Sequence, residues 1–394
     1  MLSEVFDVAW LLLLLPVAVI SGWIAARQDQ RSKKRKGTGE IPSDYFKGLN
    51  LLLNEQPDKA IEVFIKVLEV DTETVETHLM LGNLFRRRGE IERATRIHQN
   101  LIARPKLDHH QRSQALFELA QDYLKAGLLD RAENLLLEYA EIEKDPEPAL
   151  RQLLYVYQQE KEWDQAIATA KRFARASGES ADEMIAHFLC EQAEDEIGRN
   201  NPEQAKALLK KALSKDPDSV RANILRGQIA RDAGDCKKAI RYWKKIENQD
   251  RRYLPEVLGQ LSECFKETGN QDGWLQLLNK ALEKDRAIPV MLKLAEEIEA
   301  SEGSSAAREF VIEELRQQPS MRGLSRMIHL SAVQADGQSK SDLETLEAII
   351  ERVLKSRKNY LCEHCGFRGN AMHWQCPGCK RWNTVKPVWD DSDE

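Results

Sequence analysis

Glycine and proline are sparse in this 394-residue chain, 20 and 13 in all, and aromatic residues make up 7 % of it. That composition argues against a fold of short strands and tight turns and leaves a long helical body as the expectation. A basic surplus is missing as well: the formal net charge is -6, which gives no overall footprint for nucleic acid. The common catalytic motifs are also missing. There is no Gly-rich phosphate loop, no His-Glu-x-x-His and no Gly-x-Ser-x-Gly, which excludes the enzyme classes built on them. His109 and His110 are adjacent, so on a helix their side chains diverge by about 100° and chelate poorly; a polar loop before the next helix is the simpler reading. Such a body binds and does not react.

What the chain does contain is a repeated unit. Gly48, Ala60 and Phe64 return 34 residues later as Gly82, Ala94 and His98. Small residues recur where two helices would touch, and a larger side chain follows one turn on. This is the tetratricopeptide period. The register continues through Ala132, Ala166, Ala205 and Ala239, then Trp274 and Ala307, mostly in steps of 33 to 35 residues, two being longer. Each unit predicts two amphipathic helices that cannot bury their apolar faces alone and so stack into a curved solenoid with a groove. In the first unit, Asp44 to Asn54 predicts one helix; Pro57 and Asp58 open the next, with Ile61, Phe64, Ile65 and Leu68 on one face. Leu154 interrupts the small-residue pattern, and Arg322 to Gln338 has no legible register. Tyr155, Tyr157, Trp163 and Trp243 read as core between helices, with groove-lining anchors as the alternative.

Ahead of the repeats, Val8 to Ala26 is an apolar run of a length that spans a bilayer core of about 30 Å. Glu4 and Asp7 precede it, and Arg27, Arg31, Lys33, Lys34, Arg35 and Lys36 follow. A cleaved signal peptide would begin with basic residues, so the order favours a retained anchor with everything after residue 27 on the cytoplasmic side. The basic run also suits anionic headgroups, and Gly37, Thr38 and Gly39 make a short joint.

Seven cysteines divide unevenly. Cys190, Cys236 and Cys264 are scattered on predicted helices and read as small buried apolar residues. The other four follow a last amphipathic helix, Leu343 to Lys355, with Leu346, Ile349, Ile350 and Val353 on one side. Cys362-Glu-His-Cys365-Gly366 is followed by Cys376-Pro-Gly-Cys379. Two residues between cysteines let one tight turn aim both sulfurs at the same ion, so Cys362, Cys365, Cys376 and Cys379 predict one tetrahedral four-thiolate metal site, for iron or zinc. His364 and His373 fall outside that set. The segment Tyr360 to Trp389 is too short to fold on an apolar core alone; Trp374, Trp382 and Phe367 are the expected mini-core.

The two cysteine pairs resemble the rubredoxin-like fold, and Trp374 to Thr384 also resembles the zinc ribbon of some bacterial DNA-repair ATPases. The short inter-knuckle segment, and Lys380 where a Gly is expected, argue against an electron carrier. A clasp holding the ribbon against the last helices is the expectation instead. Redox or electron transfer, and nucleic-acid binding through Lys380, Arg381 and Lys386, stand as alternatives.

Taken together, the order is an all-α tetratricopeptide solenoid with an N-terminal transmembrane helix and a small rubredoxin-like four-cysteine metal domain. The segments are 1–26 (anchor), 27–41 (basic linker), 42–320 (repeats), 321–357 (degenerate or capping helices), 358–389 (metal domain) and 390–394 (acidic tail). That order resembles the lipopolysaccharide assembly protein B family of Gram-negative gammaproteobacteria along the full chain. The resemblance implies a non-enzymatic, single-pass adaptor of the cell inner membrane with its bulk in the cytoplasm. The implied partners are a membrane-anchored AAA+ zinc protease, the deacetylase that commits precursors to lipid A, lipopolysaccharide assembly enzymes and an inner-membrane regulator. A homo-oligomer stands beside these as a further partner.

Overall fold

The computed structural model describes residues 43–54, 56–70, 75–105 and 107–389; the predicted anchor, basic linker and acidic tail lie outside them. Among the described residues no helix is long and apolar enough to cross a membrane. The chain divides after Lys144 into two compact units. The first holds three helix pairs: α1 (Ser43–Leu53) with α2 (Pro57–Val70), α3 (Val75–Arg87) with α4 (Ile91–Ile102), and α5 (His109–Lys125) with α6 (Leu129–Ile142). The second opens with α7 (Glu147–Glu160) and α8 (Trp163–Ser177), then α9 (Asp182–Gly198) and α10 (Pro202–Lys215), then α11 (Val220–Asp232) and α12 (Cys236–Trp243) with the short α13 (Ile246–Gln249). A 3-10 helix, Arg251–Val257, leads into α14 (Leu258–Glu267), which pairs with α15 (Gln271–Asp285). The array finishes with α16 (Ile288–Glu302) and α17 (Ser304–Gln317), α18 (Met321–Gln334) and α19 (Gly337–Ser356), before a three-stranded sheet.

The repeat register is a rule about volume. In each of the first eight pairs the register joins one position of the first helix to two of the second, 12 and 16 positions on, and most of these residues are buried. Gly48 lies against Phe64, Gly82 against His98 and Gly227 against Trp243; a Cβ at those glycines would stand 2.6, 2.3 and 2.1 Å from the facing rings. Where the first position is Ala120, Ala193 or Ala295, the facing residue shrinks to Leu136, Leu209 or Val311, all buried. At Leu154 the sizes exchange, and the second helix presents Ala170 instead. Interior packing density leaves no room for both members to be large. The interruption at Leu154 therefore obeys the register by reversing it.

His98 occupies a place that Phe64 holds one unit earlier, at no exposure to solvent. Its Nδ1 is 2.6 Å from Asp122, which also accepts from Arg86 at 2.8 Å, while Arg86 reaches Glu118 at 2.5 Å. A buried polar ring is tolerated when its partner is buried with it.

Several sequence expectations are corrected. His109 and His110 open α5 directly after Asp108, whose carboxylate accepts from the Gln111 amide in a capping box; they are not a loop. Residues 321–357 are helical as expected, in α18 and α19, with Ser320 capping α18 through the Gly323 amide. The last helix is longer than expected, and of its expected apolar side Ile350 is buried whereas Leu346, Ile349 and Val353 are exposed. Tyr157, Trp163 and Trp243 are core, but Tyr155 is exposed. Cys190 is buried and unpaired, whereas Cys236 and Cys264 form a disulfide across a Cα separation of 5.0 Å, because helix stacking brings together residues 28 apart in sequence.

Gly227→Ala should lower stability by about 1–3 kcal/mol through overpacking against Trp243, measured by denaturant unfolding. Adding Trp243→Leu should recover much of the loss, since that pair reproduces Ala193 facing Leu209.

Candidate metal centre

Strands β1 (Tyr360–Cys362), β2 (Arg368–Gly369) and β3 (Val385–Pro387) form an antiparallel sheet in the order β2-β1-β3. Two equivalent turns carry the cysteines, one closing the β1–β2 hairpin and the other on the isolated Gln375–Trp382 bridge. In the first, the Cys362 amide donates to Phe367 and the Gly366 amide returns to Cys362, at 2.8 and 2.9 Å; in the second, the Cys376 amide donates to Arg381 and the Lys380 amide returns to Cys376, at the same distances. Gly366 adopts φ +73° and Lys380 φ +60°. Lys380 therefore takes the glycine-like left-handed shape at a cost of about 1–2 kcal/mol. The missing glycine leaves the knuckle intact.

The four cysteine sulfurs lie within 4.8 Å of one another. Cys362 and Cys379 are 3.8 Å apart, and Cys365 and Cys376 are 3.6 Å apart. A tetrahedral ion with metal–sulfur bonds of about 2.3 Å needs sulfur edges of about 3.8 Å, so the donor set fits. Gly378 keeps the cradle open, since a Cβ there would stand 3.3 Å from the Cys365 sulfur. Burial pushes the Cys362 thiol up, but the Thr384 hydroxyl and the amides of Cys365 and His364 outweigh it and bring the thiol down to about 6. At Cys376 burial prevails over the amides of Cys379 and Gly378, and the thiol is pushed up to about 12. A bound ion would replace the remaining thiol protons and close the ribbon's core as a structural crosslink. His364 is exposed and His373 sits beside Phe367, ring centres 6.0 Å apart, so neither joins the donors.

The expected mini-core is only partly right. Phe367 and Met372 pack on Tyr360, Cys362, Cys376 and Val385, but Trp374 and Trp382 turn outward onto the repeats. So small a ribbon has no interior for two indoles, and their apolar area is buried on a neighbour instead. Trp382 stacks on His187 with ring centres 5.1 Å apart, meets Phe188 edge-on at 5.7 Å, and donates its N–H to Gln158 at 2.8 Å. Trp374 stacks on Tyr253 at 5.3 Å, and the Arg221 guanidinium lies 5.7 Å from the same ring. Around them Gln375 also donates to Gln158, Asn383 to Glu183, Tyr253 to the Val385 carbonyl and Tyr360 to Glu256, at 2.7 to 3.1 Å. Arg252 and Glu363 make an ion pair at 2.6 Å.

The clasp is thus real, but beyond the contacts of Arg322 with Asn359 and Trp389 its seat is on earlier repeats and not on the last helices. Gln158, His187, Arg221 and Tyr253 lie on the first-helix side of four successive pairs, in α7, α9, α11 and the 3-10 helix. The connection into the ribbon does touch α18, through Arg322 to Asn359 at 2.5 Å. None of the four docking residues stood out in the sequence, because each is ordinary until Trp374 and Trp382 arrive from far along the chain. On the same unit a groove of about 840 Å³ opens between α8, α9 and α10, lined in part by Trp163, Ile167, Ile185, Leu189 and Leu208.

His187 is nearly fully buried, and burial, then Arg221 and Lys386, hold its pKa down to about 3. The unfolded imidazole takes its proton near 6.5. This contribution to stability is therefore whole above pH 6.5 and is lost as pH falls towards 3. Between pH 6.5 and 5 the wild type should lose melting temperature more steeply than His187→Gln at equal metal content. Removing the ion by chelation, or Cys362→Ser with Cys365→Ser, should unfold the ribbon and release it from the repeats, seen as new hydrogen exchange in the helices carrying Gln158, His187 and Tyr253; unchanged exchange there would rule out a metal-dependent seat.

Comparison with known proteins agrees on the two kinds of domain. The family model described as the rubredoxin metal binding domain matches residues 360–387, and a tetratricopeptide repeat model matches 190–247. Lipopolysaccharide assembly protein B of Escherichia coli strain K12 is 37 % identical over 380 residues, covering 96 % of this chain and 97 % of that protein. The protein of the same name from Haemophilus influenzae is 33 % identical over 388 residues, covering 96 % and 98 %. The four clustered cysteines are accordingly the site for one metal ion in a rubredoxin-like ribbon.

Proposed function

The chain belongs to the lipopolysaccharide assembly protein B family, and on that footing we propose that it is an inner-membrane adaptor that sets the rate of lipopolysaccharide synthesis by governing proteolysis. In this reading the segment 1–26 anchors the chain and 27–41 holds it close to the cytoplasmic face. The array 42–320 with its capping helices 321–357 presents the lipid A-committing deacetylase to a membrane-anchored AAA+ zinc protease. The ribbon 358–389, with Cys362, Cys365, Cys376 and Cys379 as ligands, fixes the geometry of the second unit. Confinement to one membrane raises the effective concentration of adaptor and protease without high intrinsic affinity.

The observation that carries this reading is relatedness over nearly the whole chain to proteins named for lipopolysaccharide assembly. The helical array supports a binding role, and it lacks the commonest catalytic motifs. The docked ribbon supports a rigid presenting surface: it covers the first-helix side of four pairs and leaves the groove beside Trp163 open to a partner segment. Recruitment of assembly enzymes and restraint by an inner-membrane regulator fit the same surfaces.

The test is the cellular half-life of the lipid A-committing deacetylase after this chain is depleted, with the protease present and then absent. Depletion should lengthen the half-life only while the protease is present. An unchanged half-life would remove the proteolytic role.

A further inference from the structure

The ribbon occupies the first-helix side of the second unit, and on the second-helix side positive charge collects. Counted from the contact alanines Ala166, Ala205 and Ala239, the fifth and sixth positions on are Lys171-Arg172, Lys210-Lys211 and Lys244-Lys245. At about 100° per residue these positions stand about 140° and 240° round the helix from the alanine that meets the first helix, so each doublet points away from it. Lys244 and Lys245 follow α12 in helical backbone, and the same count holds there. The pattern stops on both sides. The pair before has Leu137 and Glu138, and the pair after has Asn279 with Lys280, which Glu247 holds at 3.0 Å. All six cations are exposed, and none joins an ion pair among the described residues; Lys244 leans over the Phe265 ring at 5.4 Å. The acids of α8, α10 and α12 are Asp164 and Glu203 alone, both in a first turn, and Glu203 is held by Lys206 at 2.7 Å.

We propose that this side of the second unit lies against an anionic lipid surface. The proposal rests on the anchoring in the functional reading above, in which the apolar run 8–26 and the basic residues behind it hold the chain beside such a surface. Three properties of the face select lipid over other polyanions. Five of the six cations are lysine, a hydrated point charge suited to a layer of mobile headgroups, whereas the fork of arginine suits one fixed carboxylate or phosphate. The doublets share one register in three successive pairs, so their charges lie side by side along the array and do not converge on a single point. The aromatic residues of these helices, Trp163, Phe173, Tyr242 and Trp243, are buried or half-buried, so no exposed ring stands there for a nucleic-acid base to stack on. The groove between α8 and α10 opens on the same side, with Lys171 and Lys211 in its lining. A partner segment entering it would do so at the lipid surface, where the membrane-anchored protease of that reading also works.

The experiment reconstitutes the full-length, metal-loaded chain with vesicles of phosphatidylcholine, alone or mixed with phosphatidylglycerol. Lysine acylation by a water-soluble reagent is then read residue by residue in mass spectrometry. On the anionic vesicles the five doublet lysines should react about threefold or more slowly than on the neutral ones. Lys380, exposed on the ribbon, should react alike on both. Salt should restore the reaction, since the Debye length shortens from about 10 Å at 0.1 M to about 3 Å at 1 M. Lys210→Glu with Lys211→Glu should restore it at Lys171 and Lys244 in low salt, with melting temperature and metal content unchanged because both side chains are exposed. Equal reactivity on the two kinds of vesicle, or slowing at Lys380 as great as at the doublets, would overturn the proposal. So would protection by added polyglutamate or DNA and none by vesicles, which would give the face to an acidic protein or a nucleic acid. Co-flotation with neutral vesicles reads the anchor separately, so a failed anchor and a failed face are told apart.

Discussion

Everything in the array depends on how closely two helices of a pair can approach. That distance is set where a first-helix glycine or alanine meets a side chain of the second, and the volumes on the two sides are reciprocal: glycine faces Phe64, His98 or Trp243, and alanine faces leucine or valine. Because packing fixes the sum and not the members, the same contact survives reversal at Leu154 and Ala170. It also survives a histidine, provided that Asp122 and Arg86 come with it. Within the second unit the pairs then stack, and their first helices present one side on which something else can be laid.

What is laid there is a ribbon with too little interior of its own. Its four sulfurs need an ion to hold them, and its two indoles need a surface to cover them. The repeats supply the surface through Tyr253, His187 and Phe188, with Gln158 pairing the Trp382 N–H. The metal therefore acts beyond the ribbon. By fixing the two knuckles, a bound ion would fix where Trp374 and Trp382 point, and through them it would tie four successive pairs together. A nearest-neighbour array is otherwise free to bend at each joint, and a crosspiece spanning several joints removes part of that freedom.

The sequence made local patterns legible and left distant ones hidden. The repeat period and the two Cys-x-x-Cys pairs are spacings within a few turns of chain, and they located the helix pairs and the donor set. Lys380 looked like a defect, yet its backbone adopts the shape of the glycine it replaces. The destination of the tryptophans was hidden because their partners lie more than 100 residues away. The Cys236–Cys264 bond was hidden because only stacking makes those residues neighbours. Leu346, Ile349 and Val353 were legible as one side of a helix, but periodicity reveals that a helix has an apolar face and not whether anything covers it, and in the fold they are exposed.

The seat of the ribbon also imposes an order of events at birth. Val385 is separated from Tyr253, the last part of the seat, by 132 residues, and at about 5–20 residues per second the ribbon leaves the ribosome roughly 6 to 26 seconds after its seat has been made. The repeats can fold as they emerge, each on its predecessor, so His187, Phe188 and Tyr253 stand bare until the end of the chain arrives and acquires its ion. A chain that is cut short, or completed where metal is scarce, keeps that aromatic surface uncovered for good. Such a surface is what chaperones and quality-control proteases bind.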